Sequence, residues 1–271
     1  MLIGITGHEG ILANSLIKIL KKKNKDHIKI LLYRDDVTNY KVFFKWLKKI
    51  DVLIHLAAVT AIDDVNKNKK HAKKVNFETV NKISEYFRIN KDKKLIFISS
   101  SHVYYGSKNK ISENHKLRPI TYYGKLKMLA ENSIIKNVRN FLIIRLFSYY
   151  SKDQNKQFLI PSLISKIRNL KSNKFKLRNY ENIRDISSID FVAKNISILI
   201  LKNSKGIINC GSGKGYKLGD LAIYIAKTKF KKKITIDNTY KYKKVTKFIC
   251  DTSKNKKITG IDDPNNLLKY L

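Results

Sequence analysis

Cysteine, proline and acidic residues are all scarce in this chain of 271 residues. Only Cys210 and Cys250 are available for disulfides. They lie far apart in sequence among apolar neighbours, so a bridged scaffold is excluded and reduced, buried thiols are expected. No grouping of Cys and His has zinc spacing, and no metal site is expected. With 3 prolines and 11 glycines there is no long Pro/Gly/Ser linker, and no internal repeat is present. No apolar run approaches the roughly 20 residues of a membrane span. The start, Met1-Leu2-Ile3-Gly4-Ile5, lacks a basic leader and is too short for a signal-peptide core. The expectation is a soluble, cytoplasmic protein.

Acid is the scarcest class relative to its counterpart. Asp and Glu number 21 against 57 Lys and Arg, a formal charge of +36. A nucleic-acid footprint gathers its cations on one face or recognition helix, whereas these lysines are spread over nearly every element. Lys, Asn and Ile are abundant together, the mark of a base-composition bias in the coding DNA. Specific nucleic-acid binding is therefore not expected. The field still attracts acidic small molecules such as nucleotide sugars, and favours an anionic membrane surface.

The length suits one large α/β domain, or such a domain with a smaller appendage. Ile3-Gly4-Ile5-Thr6 reads as a buried strand, Gly7-His8-Glu9-Gly10-Ile11-Leu12-Ala13 as a turn, and the residues up to about 22 as a helix. That order makes a dinucleotide site. Gly7 permits the tight turn, Gly10 lets backbone approach a pyrophosphate, Ala13 lets helix lie against strand, and the helix N-terminus receives the phosphates. A glycine turn without a ligand has the same local sequence. The next strand, Ile28-Lys29-Ile30-Leu31-Leu32, ends in Tyr33-Arg34. Sites for NAD carry an acid here for the ribose 2′-hydroxyl, while Arg34 suits the 2′-phosphate of NADP. NADP(H) is favoured and NAD(H) is the alternative, because Asp35 and Asp36 follow at once.

A short amphipathic helix over 40–49 leads to the strand Asp51-Val52-Leu53-Ile54-His55-Leu56-Ala57-Ala58, whose small final residues leave room for a flat cofactor. His55, inside this apolar run, reads as a satisfied core histidine. A long helix over 70–88 precedes Leu95-Ile96-Phe97-Ile98, which runs into Ser99-Ser100-Ser101-His102-Val103. Hydroxyls at the carboxyl end of a parallel strand sit where open sheets bind ligands. With Phe141-Leu142-Ile143-Ile144-Arg145-Leu146 as a further strand, the alternation predicts a doubly wound parallel sheet of the Rossmann kind over 1–150. Residues 151–271 are expected to form a mainly substrate-binding part with elements returning to the sheet. Helices are expected over 158–170 and 218–226, a capping segment over 184–190 before a helix to 201, a strand at Gly206-Ile207-Ile208-Asn209 and a lysine-rich tail.

The stretch Tyr122-Tyr123-Gly124-Lys125-Leu126-Lys127 carries the chemistry. On a helix Tyr123 and Lys127 fall on one face. An ammonium within about 4–6 Å of a phenol favours the phenolate, which makes Tyr123 a candidate general acid or base with a lowered pKa. The spacing taken alone also fits a solvated helix start.

Together these pieces resemble the extended short-chain dehydrogenase/reductase superfamily of NAD-dependent epimerase/dehydratase type. Within it they look most like the dTDP-4-dehydrorhamnose reductase group of sugar-nucleotide reductases. Further likeness lies in Asp36-Val37-Thr38-Asn39, in residues 51–60, in Ala61-Ile62-Asp63-Asp64 with Val75-Asn76, and in Asn209-Cys210-Gly211-Ser212-Gly213 and Asp251-Thr252-Ser253-Lys254. The resemblance implies Tyr123 as proton donor or acceptor, Lys127 on the nicotinamide ribose, and Ser100 on the sugar oxygen. It implies a cofactor held by Gly7, Gly10, Ile11, Leu12, Arg34, Asp36, Val37, Leu56, Ala57, Ala58, Asn76, Tyr123 and Lys127, and a substrate met by Ser101, His102, Ser148 and Arg184.

Dehydratases of the superfamily carry Asp-Glu where this chain has Ser101-His102, which disfavours water elimination. The reductases usually show Thr-Asp-Tyr-Val-Phe where this chain reads Ser100-Ser101-His102-Val103-Tyr104, and Ser148 replaces an asparagine common in epimerases. The implied activity is reduction of a nucleotide-linked 4-keto sugar. The alternatives are a 4-epimerase holding NAD tightly and a non-catalytic nucleotide-binding regulatory subunit. The implied partner is a nucleotide-diphosphate sugar and the implied assembly a homodimer.

Overall fold

Six strands, all parallel, form the central layer of the protein, seen in a computed structural model that describes residues 1–23, 28–237 and 245–263. In chain order the first part comprises β1 (Leu2–Thr6), α1 (Ile11–Lys23), β2 (Lys29–Leu32), α2 (Tyr40–Leu47), β3 (Val52–His55), α3 (Ile62–Lys67), α4 (Lys69–Lys73), a π-helical turn (Lys74–Glu78), α5 (Thr79–Ile89), β4 (Lys94–Ser100), a 3₁₀ turn (Ser101–Val103), α6 (Tyr122–Asn137) and β5 (Phe141–Leu146). It continues with β6 (Ser148–Tyr150), α7 (Leu159–Arg168), β7 (Lys174–Lys176), β8 (Ile183–Ser188), α8 (Ile189–Leu201), β9 (Gly206–Cys210), β10 (Gly215–Lys217), α9 (Leu218–Phe230), β11 (Thr235–Asp237), β12 (Lys247–Phe248) and α10 (Ser253–Thr259).

The sheet order is β2-β1-β3-β4-β5-β9. The chain winds outward in both directions from β1 and β3, and a crevice opens at their carboxyl ends where the order reverses. The inner strands are near-continuous Ile, Leu, Val and Phe because helices bury both faces. On one face Leu12, Leu16 and Leu20 of α1 and Val192, Ile196 and Leu199 of α8 meet Ile3, Ile5, Ile96 and Ile144. On the other, Phe43 and Leu47 of α2, Val80, Ile83 and Phe87 of α5, and Ala130 and Ile134 of α6 meet Leu53, Leu95, Phe97 and Ile143. α8 and β9, both beyond residue 150, thus complete the layer begun by the first part. A third cluster joins α7 and α9 beside a small sheet in which β8 lies among β6, β10 and β12.

Two elements differ from the sequence expectation. The helix over 70–88 is present but not uniform: α4, capped by Asn68 (His71 N donates to its Oδ1 at 3.0 Å), runs through the π-helical turn into α5 with helical backbone throughout. The Thr79 hydroxyl donates to the Lys74 carbonyl at 2.9 Å across that turn, which a uniform apolar periodicity does not disclose. Residues 184–190 are largely strand rather than cap. The polar run Arg184-Asp185-Ile186-Ser187-Ser188 satisfies its backbone in the small sheet, and only Ser188 caps, accepting from Phe191 N at 3.2 Å. The end of the lysine-rich tail lies outside the described residues.

Candidate functional site

At the crevice the chain turns from β1 into α1 through Gly7, whose φ of +67° suits glycine. A Cβ there would stand 2.7 Å from the backbone nitrogen of Ala57, so only glycine lets the turn lie against the end of β3. Gly10 N donates to the Gly7 carbonyl at 3.1 Å, and the Gly10 carbonyl receives Asn14 N at 2.9 Å to start the helix. No acidic side chain stands in the first turn of α1, which leaves its N–H groups and positive dipole end open to an anion. Ile11 is at the surface of this turn, while Leu12 and Ala13 bury their side chains and can offer a ligand only backbone. A cleft of about 540 Å³ opens beside it, bordered by Ile11, Tyr150, Lys152 and Ser188. These residues fit the diphosphate of a dinucleotide.

The flanks of the turn are tied together. The Thr6 hydroxyl oxygen accepts from Leu56 N at 3.2 Å and Ala57 N at 3.3 Å. Its own proton therefore goes to His55 Nδ1, 2.9 Å away, which leaves His55 as the neutral Nε2–H tautomer. That Nε2 is buried without a partner among the described residues, so the histidine is a core residue but only half satisfied. Burial, aided by the charge of Lys127, pushes its pKa down to about 3.

Ala58 and Val59 line the same edge. Asn76, expected to contact the cofactor, lies behind this edge. Its carboxamide accepts from Val59 N at 2.9 Å and donates to Val59 O at 2.8 Å, so it holds the wall of the crevice. At the end of β2 the Tyr33 ring is buried against Phe43 and Trp46, and His8 Nδ1 sits 3.0 Å from the Tyr33 carbonyl. Arg34, Asp35 and Asp36 are exposed, Asp36 accepts from Thr38 N at 2.8 Å, and Val37 is buried.

Tyr123 and Lys127 both lie on α6, capped by Thr121, whose hydroxyl oxygen accepts from Gly124 N at 3.0 Å. Gly124 brings the helix against the 3₁₀ turn, since a methyl group there would run into the carbonyl of His102. Tyr123 hydrogen-bonds Ser100, whose own oxygen accepts from His102 N at 3.2 Å. Ser101 is buried in the 3₁₀ turn. Lys127 Nζ donates to the Ile98 carbonyl at 2.8 Å, stands 4.5 Å from the Phe97 ring centroid and 5.9 Å from that of Tyr123.

The expected electrostatics are reversed at this point. Burial is the largest influence on Tyr123 and pushes its pKa above the usual tyrosine value, while Ser100 offsets part of the rise. Burial also pushes the Lys127 ammonium down to about 7. The lysine does not drive the phenol to phenolate in this state, because its hydrogen bond runs to backbone and not to the tyrosine.

His102 lies edge-on to Tyr123, ring centroids 5.6 Å apart, with Nδ1 3.4 Å from the Thr121 hydroxyl. Burial and the charge of Arg184 push its pKa down to about 4. Arg184 donates to the carbonyls of Ile183 and Thr246 at 2.9 and 3.0 Å and to the Thr246 hydroxyl at 3.0 Å, with Phe248 4.9 Å beneath. No acidic side chain pairs with it among the described residues, and burial lowers its pKa to about 10. Ser148 opens β6 beside β8, partly exposed.

Thus Ser100, Ser101, His102, Tyr123, Lys127 and Arg184 are gathered on one side of the crevice, and the glycine turn on the other. Sequence reasoning missed Gly124, Tyr149, whose phenol raises the pKa of Tyr123, and Glu131, one helical turn beyond Lys127. The spacing Tyr123, Lys127, Glu131 was itself a readable signal.

Comparison with known proteins follows this geometry. Residues 1–180 match the family model described as RmlD substrate binding domain. The GDP-6-deoxy-D-talose 4-dehydrogenase of Aggregatibacter actinomycetemcomitans is 27% identical over 231 residues, 80% of this chain and 76% of that protein. The dTDP-4-dehydrorhamnose reductase of the same organism is 28% identical over 145 residues, 52% of this chain but only 49% of its own length. Among solved structures, UDP-glucuronic acid 4-epimerase from Bacillus cereus in complex with UDP-glucuronic acid and NAD superposes with a TM-score of 0.85 at 22% identity, covering 99% of this chain and 96% of that one. RMD from Pseudomonas aeruginosa complexed with NADPH gives 0.83 at 18%, covering 99% and 95%. At these identities the structural matches establish the fold.

Proposed function

The chain belongs to the RmlD substrate binding domain family, and from that premise we propose that it is an NADP(H)-dependent reductase of a nucleotide-linked 4-keto sugar. The observation that carries this reading is the buried, protonated phenol of Tyr123, bonded to Ser100 at the mouth of the crevice. Reduction of a carbonyl to an alcohol needs a proton on the oxygen as hydride reaches the carbon, and the Tyr123 phenol, held beside Ser100 at the end of β4, is placed to supply it. The nicotinamide cofactor supplies the hydride when bound. Ser100 orients the phenol and donates towards the same sugar oxygen, Lys127 binds the ribose and stabilises negative charge developing near Tyr123, and the first turn of α1 holds the diphosphate. Arg184, without an acidic partner among the described residues, is the cation for a phosphate of the nucleotide sugar, with His102, Ser101 and Ser148 around the hexose.

NADP(H) is preferred over NAD(H) in this reading. Arg34 is exposed at the end of β2 and, with Lys45, Lys49 and the single acid Asp35, borders a pocket of about 320 Å³ whose excess of cations suits a 2′-phosphate. The second reading, a 4-epimerase with tightly held NAD, is favoured by a relative named putative UDP-glucose 4-epimerase from Methanocaldococcus jannaschii, 28% identical over 198 residues. It uses the same Tyr123 to take up a proton and then return it. Purification and assay separate the two. A reductase oxidises added NADPH with a 4-keto nucleotide sugar, whereas protein that purifies with NAD and interconverts epimers without net oxidation overturns the proposal.

A further inference from the structure

Tyr123, Lys127 and Glu131 occupy successive turns on one face of α6, and three consecutive residues at the end of β4 pin them. Ser100 bonds the Tyr123 phenol, the Ile98 carbonyl accepts from Lys127 at 2.8 Å, and the Ser99 hydroxyl donates to Glu131 Oε1. Glu131 is fully buried. Arg145 of β5, paired with Ser99 in the ladder, donates Nε to both of its carboxylate oxygens at 3.1 and 3.0 Å and Nη2 to Oε2 at 2.7 Å. The remaining Arg145 amino group is engaged by the Tyr104 phenol at 2.8 Å and the Glu113 carbonyl at 2.9 Å, so the guanidinium is anchored on both sides.

The groups that act on Lys127 differ in sign. His55 from β3 is neutral, and β4 presents only the Phe97 ring and the Ile98 carbonyl. On its own helix Tyr123 is a protonated phenol and Glu131 an anion, and the cation of Arg145 lies behind Glu131. Glu131 is therefore an anion one helical turn from a buried ammonium whose hydrogen bond, among the described residues, runs to a backbone carbonyl. We propose that Glu131 is a positioning residue which, clamped by Arg145 and Ser99, keeps Lys127 protonated and in place for the ribose of the cofactor. The role for the ribose rests on the reductase reading, while the control of the charge on Lys127 does not. Burial drives Lys127 towards neutrality near pH 7 and Glu131 opposes it, so the clamp decides which form prevails in the working range.

The experiment measures the protonation midpoint of Lys127 in cofactor-free protein, as the difference in pH-dependent stability between each variant and the same variant carrying Lys127→Met. Glu131→Gln removes the anion and leaves Arg145 behind, and should lower the midpoint by on the order of one pH unit. Arg145→Met leaves the carboxylate to Lys127 alone and should raise it. The double variant, a neutral pair of similar volume, is the one most tolerant of folding and should fall below the wild type by less than Glu131→Gln. NADPH binding followed by fluorescence should weaken above the same midpoints. Opposite displacements in the single variants, or the lowered midpoint in the double variant if the singles do not fold, support the proposal. Displacements of one sign, no displacement, or failure of all three to fold would assign the pair to the core and overturn it. If wild-type protein binds neither NADPH nor NADH, the reductase reading falls, and the cofactor-free midpoints still decide the role of Glu131.

Discussion

The proposed proton donor, Tyr123, is buried with its phenol beside Ser100, and burial raises its pKa while Ser100 offsets part of the rise. Tyr123→Phe keeps the ring and its packing on His102. Activity with a 4-keto nucleotide sugar should fall about 10²–10⁴-fold while circular dichroism and NADPH affinity change little. Full activity in that variant would return the motif to a helix start with no chemistry. Lys127 makes a second prediction, independent of any substrate. Its ammonium is disfavoured by burial, so the folded protein releases that proton near pH 7 while the unfolded chain keeps it to about 10.5. Between those values the unfolded state binds more protons, and stability must rise with pH by up to about 1.4 kcal/mol per unit from this group. The contribution is present above 10.5 and lost as pH falls to about 7. Denaturation of wild type and Lys127→Met across pH 6–10 should show a larger rise in the first than in the second, where Lys94, pushed down to about 8 by burial, still contributes.

At the scale of elements, the site depends on how closely α6 approaches the turn after β4. Gly124 sets that distance, because its Cα faces the carbonyl of His102 with no space for a side chain. Gly124→Ala adds one methyl group to a helix, which in isolation would favour it, yet here should destabilise by about 1–3 kcal/mol through overpacking. It should also lower kcat by moving Tyr123 off Ser100. A thermal melt at or above wild type would show that the turn yields and that Gly124 does not position the site. The π-helical turn at Lys74–Glu78 has a comparable part on the other wall, since it swings Asn76 onto both backbone groups of Val59.

The whole molecule carries +36, spread over its surface with few acids to pair. Self-repulsion should make it less stable at low ionic strength, and its melting temperature should rise as salt is raised from 10 to 200 mM. Duplex DNA should bind weakly, without sequence preference, and be released over the same range. A sequence-selective complex that survives physiological salt, measured by anisotropy, would show that the charge is a recognition surface. The proposed preference for NADP(H) belongs to this scale as well, because it rests on the edge around Arg34, Lys45 and Lys49. Arg34→Ala should weaken NADPH binding selectively, and equal loss for NADH would refute the assignment.

The sequence by itself determined the parallel sheet, the glycine turn and the pairing of Tyr123 with Lys127, because these rest on local signals. Unbroken apolar runs mark strands covered on both faces, glycine marks a positive φ or a close approach, and a spacing of four places side chains on one helical face. Tertiary structure alone decided the rest. The helix over 70–88 widens into a π turn where the Thr79 hydroxyl reaches the Lys74 carbonyl, and residues 184–188 become a strand because neighbours in β6, β10 and β12 are there to pair with. The pKa of Tyr123 rises instead of falling because the folded chain buries its phenol, while Lys127 turns to the Ile98 carbonyl of β4, a partner far off in sequence. Glu131 and Arg145 lie fourteen positions apart in the chain and meet only when α6 docks on β5. Charge, burial and hydrogen-bond supply are set by what surrounds a residue in space, and no spacing along the chain encodes that surrounding.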